Sequence, residues 1–333
     1  MEVIAISDIG KTKQKFLLFD PWLNVIHSEE KIHGEVSGDD GFDRNGVEAI
    51  EAWMRSCLAA VVKDGKYIIK ALDFTACEGS MEQFSNKIIP EATGGGYDIK
   101  TGSGIPQGYA ALVPYLKGTK EQFILITTGT WCIFLNPFHA GPLSAEQLRI
   151  DTWCYMSVNQ GQVKSSRFLL GPVHDKNTER LNGYFGIQDE LYKTIKIRDL
   201  KLWKLFANKQ GRVFFRKGIP ADYVDNEVEM SQFLTFADAY HQMMFDLVDI
   251  CMESLRLILP ADDKTEVVYV TGGFSRNDTF VRLLAARLPD KRVFTSGIND
   301  APALGAAMEV YESAFGKAIP AVYLGLKAVF SNR

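Results

Sequence analysis

Three short glycine-bearing turns hold the residues best suited to chemistry. Asp8-Ile9-Gly10-Lys11-Thr12 follows Val3-Ile4-Ala5-Ile6, Thr127-Thr128-Gly129-Thr130-Trp131 ends a second run of strand formers, and Thr271-Gly272-Gly273-Phe274-Ser275 follows Glu266-Val267-Val268-Tyr269-Val270. Each places small or hydroxyl-bearing residues where a backbone can close on phosphate oxygens. The third also opens a helix-like stretch, and a helix N-terminus favours negative charge. A glycine after a strand is by itself only a tight connection, because glycine tolerates positive φ. Three such signals in one chain point to a split nucleotide site.

The elements that would position these turns follow a recognisable order. Val3 to Ser7, Lys15 to Asp20 and Asn24 to His27 read as strands in a hairpin-like arrangement, with the imperfect alternation of strands covered on both faces. Between residues 46 and 63, Val47, Ile50, Trp53, Met54, Cys57, Leu58 and Val61 recur at helical spacing, and Tyr67 to Phe74 returns as a buried strand. The order is β-β-β-α-β. Residues 123 to 135 begin a second set of strands, closed by an amphipathic stretch from Ser231 to Leu259 and a strand at Val267 to Thr271. Phe233, Phe236, Tyr240 and Phe245 on that stretch read as core, and the histidines, His174 and His241 among them, as packing or surface residues.

Composition narrows the class. A chain of 333 residues exceeds what one core usually organises, so two domains are expected, and a hydrophobic content of 46% can fill them. The net charge of -4 gives no basic footprint for nucleic acid. No apolar stretch reaches transmembrane length. The opening Met-Glu-Val-Ile-Ala-Ile has neither a basic region nor a cleavage site, so a cytoplasmic location away from membranes is expected. Cys57, Cys77, Cys132, Cys154 and Cys251 are scattered without Cys-x-x-Cys spacing, which speaks against a disulfide framework or a zinc site.

The wording and order of the three turns, completed by Asp300-Ala301-Pro302-Ala303-Leu304-Gly305-Ala306-Ala307, resembles the FGGY carbohydrate kinases. These belong to the superfamily of sugar kinases, actin and heat-shock chaperone ATPases. The resemblance implies an α/β fold of two ribonuclease-H-like (actin-like ATPase) lobes with a ligand cleft between them. The N-terminal lobe, residues 1–104, would be the sugar and phosphate side, and the C-terminal lobe, residues 105–333, the nucleotide side. The chain would cross between lobes near Gly102-Ser103-Gly104-Ile105 and along Asp300 to Tyr311. The implied activity is transfer of the ATP γ-phosphoryl group to a hydroxyl of a ketose or related sugar, with Mg²⁺ required. The partner is then a small-molecule sugar, and a homodimer is left open.

The same resemblance distributes roles. Asp8 would hold Mg²⁺, a hard cation that prefers oxygen ligands. Gly10, Lys11 and Thr12 would offer backbone N–H groups and a hydroxyl to the β- and γ-phosphates, with Gly129 and Thr130 closing from the other lobe. Gly272 and Gly273 would let the backbone approach the α-phosphate and adenosine, with Asn277 at the helix start. Asp73 and Glu78, after the later strands of the first lobe, are candidates for reading sugar hydroxyls.

Two departures matter. Where FGGY kinases carry a large block before the lobe crossing, only Phe74 to Thr101 separates Asp73 from Gly102, so the first lobe is short. The family also places a catalytic aspartate just after the glycines of this segment. Aligning Gly104-Ile105-Pro106-Gln107-Gly108-Tyr109-Ala110-Ala111-Leu112 puts Gln107 there. An amide cannot take up the proton of the attacking hydroxyl at neutral pH. The alternative is a catalytically impaired relative that binds nucleotide or sugar as a sensor.

Overall fold

The computed structural model describes residues 1–10, 13–32, 44–76, 81, 84, 99–139, 141–145, 147, 152–156, 161–188, 190–207, 211–260 and 262–329. Its strands are β1 (Glu2–Ile9), β2 (Lys13–Phe19), β3 (Val25–Ile32), β4 (Ile68–Ala76), β5 (Lys100–Thr101), β6 (Ile105–Pro106), β7 (Phe123–Thr128), β8 (Cys132–Asn136), β9 (Thr152–Met156), β10 (Gln162–Phe168), β11 (Val267–Gly272), β12 (Arg292–Thr295) and β13 (Lys327–Ala328). Its helices are α1 (Arg44–Asp64), α2 (Gln107–Gly118), α3 (Leu170–Phe185), α4 (Asp199–Ala207), α5 (Phe236–Arg256), α6 (Asp278–Arg287) and α7 (Ala301–Phe315). The chain divides into Met1–Lys120 with Ile298–Leu324, and Glu121–Gly297 with Gly325–Arg333.

In the first unit, β1, β2 and β3 form an antiparallel meander and β4 joins β1 in parallel, giving the order β3-β2-β1-β4-β5 with β6 also on β4. Alternation along the strands divides their side chains. Val3, Ala5, Phe16 and Leu18 pack with Cys57 and Val61 of α1, which leaves Ile4, Ile6 and Asp8 for the opposite face, where α7 packs on β1 and β4. Helices α2 and α7 meet almost backbone to backbone. A Cβ added at Gly305 would lie 1.8 Å from the Ala110 carbonyl oxygen, so the small residues read from the sequence have a steric reason.

The division between units differs from the one expected after residue 104. The Gly102 amide donates to the Leu72 carbonyl at 2.8 Å and the Gly104 amide to Asp73 Oδ1 at 2.9 Å. With β6 on β4 and α2 against α7, these bonds keep the chain in the first unit as far as Lys120. The segment Gly102–Ile105 is therefore internal to that unit, and so is Asp300 to Tyr311, which begins just after the division at Gly297/Ile298.

The second unit repeats the plan. Strands β7, β8, β10 and β9 run antiparallel, β11 joins β7 in parallel, and β12 joins β11 in parallel. Strand β7 thus takes the place of β1, and β11 that of β4. Helix α5 begins at Phe236 rather than at Ser231, because the Thr235 hydroxyl oxygen accepts the Asp238 amide at 3.1 Å and caps it. The expected strand at Val267 to Thr271 and the helix over 46 to 63 are present within a few residues of their predicted ends. Among the described residues no helix is long and apolar enough to cross a membrane.

Candidate active site

Asp8 is the penultimate residue of β1, on the face of the first sheet that α7 covers. Its neighbours across the ladders are Lys15 on β2 and Thr75 on β4. Gln107, the first residue of α2, donates from Nε2 to Asp8 Oδ1 at 2.7 Å. Asp8 is only 8% exposed. Burial pushes its carboxyl up to about 6, against the Gln107 hydrogen bond and Lys15, which favour the charged form, and with nearby Asp300 adding to the rise. Lys15 pairs with the Asp300 carboxylate and lies 3.2 Å from Glu30. Asp300 itself has a left-handed backbone, φ 47°, at the start of α7, and its side chain reaches Lys15 instead of capping the helix.

The Gly10 amide, expected to face phosphate, donates to the Lys13 carbonyl at 3.1 Å, and the Gly10 carbonyl accepts from Gln14 Nε2 at 2.9 Å. The turn is thus closed on itself at Gly10. Lys11 and Thr12 lie outside the described residues, as does Glu78. Asp73 is buried on β4, where its Oδ1 accepts the amides of Phe74 and Gly104, each at 2.9 Å. Burial pushes its carboxyl up to about 6 against those two hydrogen bonds. It clamps the Gly102–Gly104 segment that leads into Gln107.

In the second unit, parallel pairing of β7 with β11 sets Thr128 directly beside Gly272. This joins the second and third turns. The Thr128 hydroxyl donates to the Thr271 carbonyl at 2.6 Å and accepts the Phe274 amide at 3.0 Å, tying one turn to the other. Gly272 has φ 87°, and a Cβ there would lie 1.9 Å from the Thr128 carbonyl oxygen, so only glycine fits. The Gly129 amide donates to the Trp131 carbonyl at 2.9 Å, and the Thr130 carbonyl accepts from Gly171 at 3.0 Å. As at Gly10, the Gly129 amide is spent within its own turn. Gly273 opens a short 3-10 segment ending at Arg276, and Asn277 caps α6 by accepting the Phe280 amide at 3.0 Å. The side chain of Trp131 carries the Arg167 guanidinium 4.3 Å above its ring.

The structure therefore brings Asp8 and Gln107 together in one unit, and Gly129, Thr130, Gly272, Gly273 and Asn277 together in the other. Sequence reasoning missed three participants. Lys15 could have been found by pairing the first hairpin, which sets it opposite Asp8. The Thr128 hydroxyl was legible only as part of its turn, and the Lys15–Asp300 contact joins positions too far apart for any local signal.

Residues 120–318 match the family described as carbohydrate kinase FGGY, C-terminal domain. Among solved structures, the chain is similar to a carbohydrate kinase from Novosphingobium aromaticivorans, with 14% identity, TM-score 0.64 and coverage of 98% of this chain and 93% of that one. It is similar to gluconate kinase from Lactobacillus acidophilus at 10% identity, TM-score 0.68 and coverage of 99% and 93%. A third likeness is to Plasmodium falciparum glycerol kinase with ADP, at 13% identity, TM-score 0.62 and coverage of 92% and 88%. At such identities the likeness shows the fold, which is the two-lobed α/β architecture of the actin-like ATPases. No curated protein matches the chain.

Proposed function

The chain belongs to the FGGY carbohydrate kinase family, and from that premise we propose that it transfers the γ-phosphoryl group of ATP to a hydroxyl of a ketose or related polyol. The observation that carries the reading is the Gln107–Asp8 hydrogen bond. It joins the acid of the first turn to the position of the family's base, 99 residues apart in sequence, at one corner of the first unit.

In the transfer, a sugar hydroxyl oxygen forms the new P–O bond, the bond from the γ-phosphorus to the β–γ bridging oxygen breaks, ADP leaves, and the hydroxyl gives up its proton to solvent water. Asp8 fits a magnesium ion: it presents a hard oxygen ligand whose charged form burial disfavours and a cation would restore. Among the described residues no three His, Cys, Asp or Glu converge on a metal. Magnesium fits such a sparse set, because it is commonly held by one or two carboxylates with phosphate oxygens and water. When bound there it neutralises charge on the phosphates.

Lys11 and Thr12 serve the phosphates, and Gly10, whose amide is spent on the Lys13 carbonyl, acts through the shape of their turn. Gly129, Thr130, Gly272, Gly273 and Asn277 hold the nucleotide, and there the glycines act by shape. Asp73 supports the sugar side by clamping Gly102–Gly104, with Glu78 as a further acceptor for sugar hydroxyls. Gln107 donates to Asp8 and orients it; the amide does not accept the hydroxyl proton, which lowers turnover. Sugar-dependent ADP release from Mg-ATP, measured over a panel of ketoses and polyols, should show stimulation by at least one of them, and Asp8→Ala should weaken its dependence on Mg²⁺. Absence of stimulation by every sugar at saturating Mg-ATP overturns the reading.

A further inference from the structure

A line of hydrogen bonds through the second unit ends on Asn277, the residue that closes the third turn. His174 on α3 is 2% exposed and Tyr240 on α5 is fully buried. His174 Nδ1 lies 2.8 Å from the Asp175 carboxylate and Nε2 lies 3.1 Å from the Tyr240 hydroxyl. Asn277 Nδ2 donates to the same hydroxyl at 2.7 Å. The Thr178 hydroxyl stands farther from Nε2, at 3.5 Å.

The direction of each bond follows from the donors available. The Phe280 amide makes Asn277 Oδ1 an acceptor, so the amide nitrogen must face Tyr240. The Tyr240 oxygen accepts that N–H and has one proton to give, which goes to His174 Nε2. His174 then carries its ring proton on Nδ1 and donates it to Asp175. Burial pushes the Tyr240 phenol well above its ordinary value, so the proton stays in place. The rings of Phe274 and Tyr192 stand edge-on to His174 at 4.9 and 5.0 Å, which fixes the imidazole plane. Asn277 spends one of its two amide protons inside this line, and the other remains for a ligand.

We propose that Tyr240 and His174 are positioning residues for the nucleotide, locking the Asn277 amide so that its second N–H is presented to the bound nucleotide. The proposal rests on the reading of Asn277 as part of the nucleotide site. A free Asn side chain can turn its amide over, and donor and acceptor then exchange places; here the Phe280 amide holds Oδ1 from one side, and the Tyr240 oxygen, its one proton committed to His174, accepts the N–H from the other.

Titration calorimetry of the full chain with Mg-ADP tests it. Tyr240→Phe keeps the ring and removes the hydroxyl, and affinity should fall roughly three- to tenfold, the range of one neutral hydrogen bond. In an Asn277→Ala background the same change should have no further effect, since Tyr240 acts through Asn277. His174→Leu should weaken binding, and His174→Gln, whose carbonyl can accept the Tyr240 proton, should restore most of it. Unchanged affinity in Tyr240→Phe, or a loss that persists in the Asn277→Ala background, overturns the proposal while leaving the nucleotide site standing. Failure of the wild-type protein to bind Mg-ADP removes the nucleotide reading and the positioning role with it.

Discussion

The corner of the first unit around Asp8 and the joined turns of the second unit are built on opposite principles. The corner is made of side chains: Asp8, Gln107, Lys15, Asp300 and Glu30 come from β1, α2, β2, the start of α7 and β3, and four of the five ionise. The joined turns are made chiefly of backbone, tied by the uncharged side chains of Thr128 and Asn277. Among Thr128, Gly129, Gly272, Gly273 and Asn277 nothing ionises, and the closure depends on a carbonyl lying where any Cβ would sit. Charge placed by side chains can be altered without disturbing the fold, whereas shape made by backbone cannot. The first region should therefore respond to substitution in its chemistry, and the second in its stability and binding together.

The largest effect expected from that contrast is at Gln107. Replacing it with aspartate supplies the missing proton acceptor, and sugar-dependent turnover should rise by roughly the 10²- to 10⁴-fold that a general base contributes. Mg-ADP affinity is measured beside turnover, because the substitution also removes the Gln107 hydrogen bond to Asp8, and only the turnover gain reports the new proton acceptor. The new carboxylate would stand near Asp8, so the gain should be Mg²⁺-dependent, a cation being needed for both acids to ionise at neutral pH. Turnover no faster than that of the unmodified chain would remove chemistry from the corner.

Next in size is Gly272→Ala. A positive φ combined with overlap on the Thr128 carbonyl should cost about 3 kcal/mol or more. Urea unfolding should shift to lower denaturant, and Mg-ADP affinity should collapse along with it. A variant that unfolds like the wild type and binds normally would show that the turns are not held by shape.

The smallest effect probes what buried charge costs the first unit. Asp73 has its folded value raised to about 6 from 3.8 by burial. The folded state therefore binds more protons than the unfolded state between those values, and the Asp73 contribution to stability declines as pH rises from about 4 through 6. Asp73→Asn keeps an acceptor for the Phe74 and Gly104 amides but carries no charge. Relative to the wild type, the variant should gain on the order of 2 kcal/mol between pH 4 and pH 8, read by urea unfolding across that range. A difference that does not vary with pH would mean that Asp73 is not penalised by its burial.

Much of the molecule was legible beforehand where the signal is local. The three turns, the β-β-β-α-β order and the helix before β11 followed from apolar runs punctuated by glycine. The unit boundary did not. Strands β5 and β6 are two residues each, too short to leave a periodic pattern, yet they bind the chain after Thr101 to β4 and keep it in the first unit. The role of Tyr240 was equally hidden, since an aromatic residue at helical spacing on α5 looks the same whether its hydroxyl is idle or serves a turn.

The sequence by itself determined where the turns fall, that an acid ends the first strand and that an amide stands at residue 107, because composition and short-range spacing are written along the chain. Tertiary structure decided that Gln107 touches Asp8, that Lys15 reaches Asp300, that the amides of Gly10 and Gly129 are spent in their own turns, and that His174, Tyr240 and Asn277 form one line. These contacts depend on which strands pair, in what register, and which helix covers each face. Pairing and register are settled by burying the whole apolar surface at once, a condition that no local stretch of residues contains.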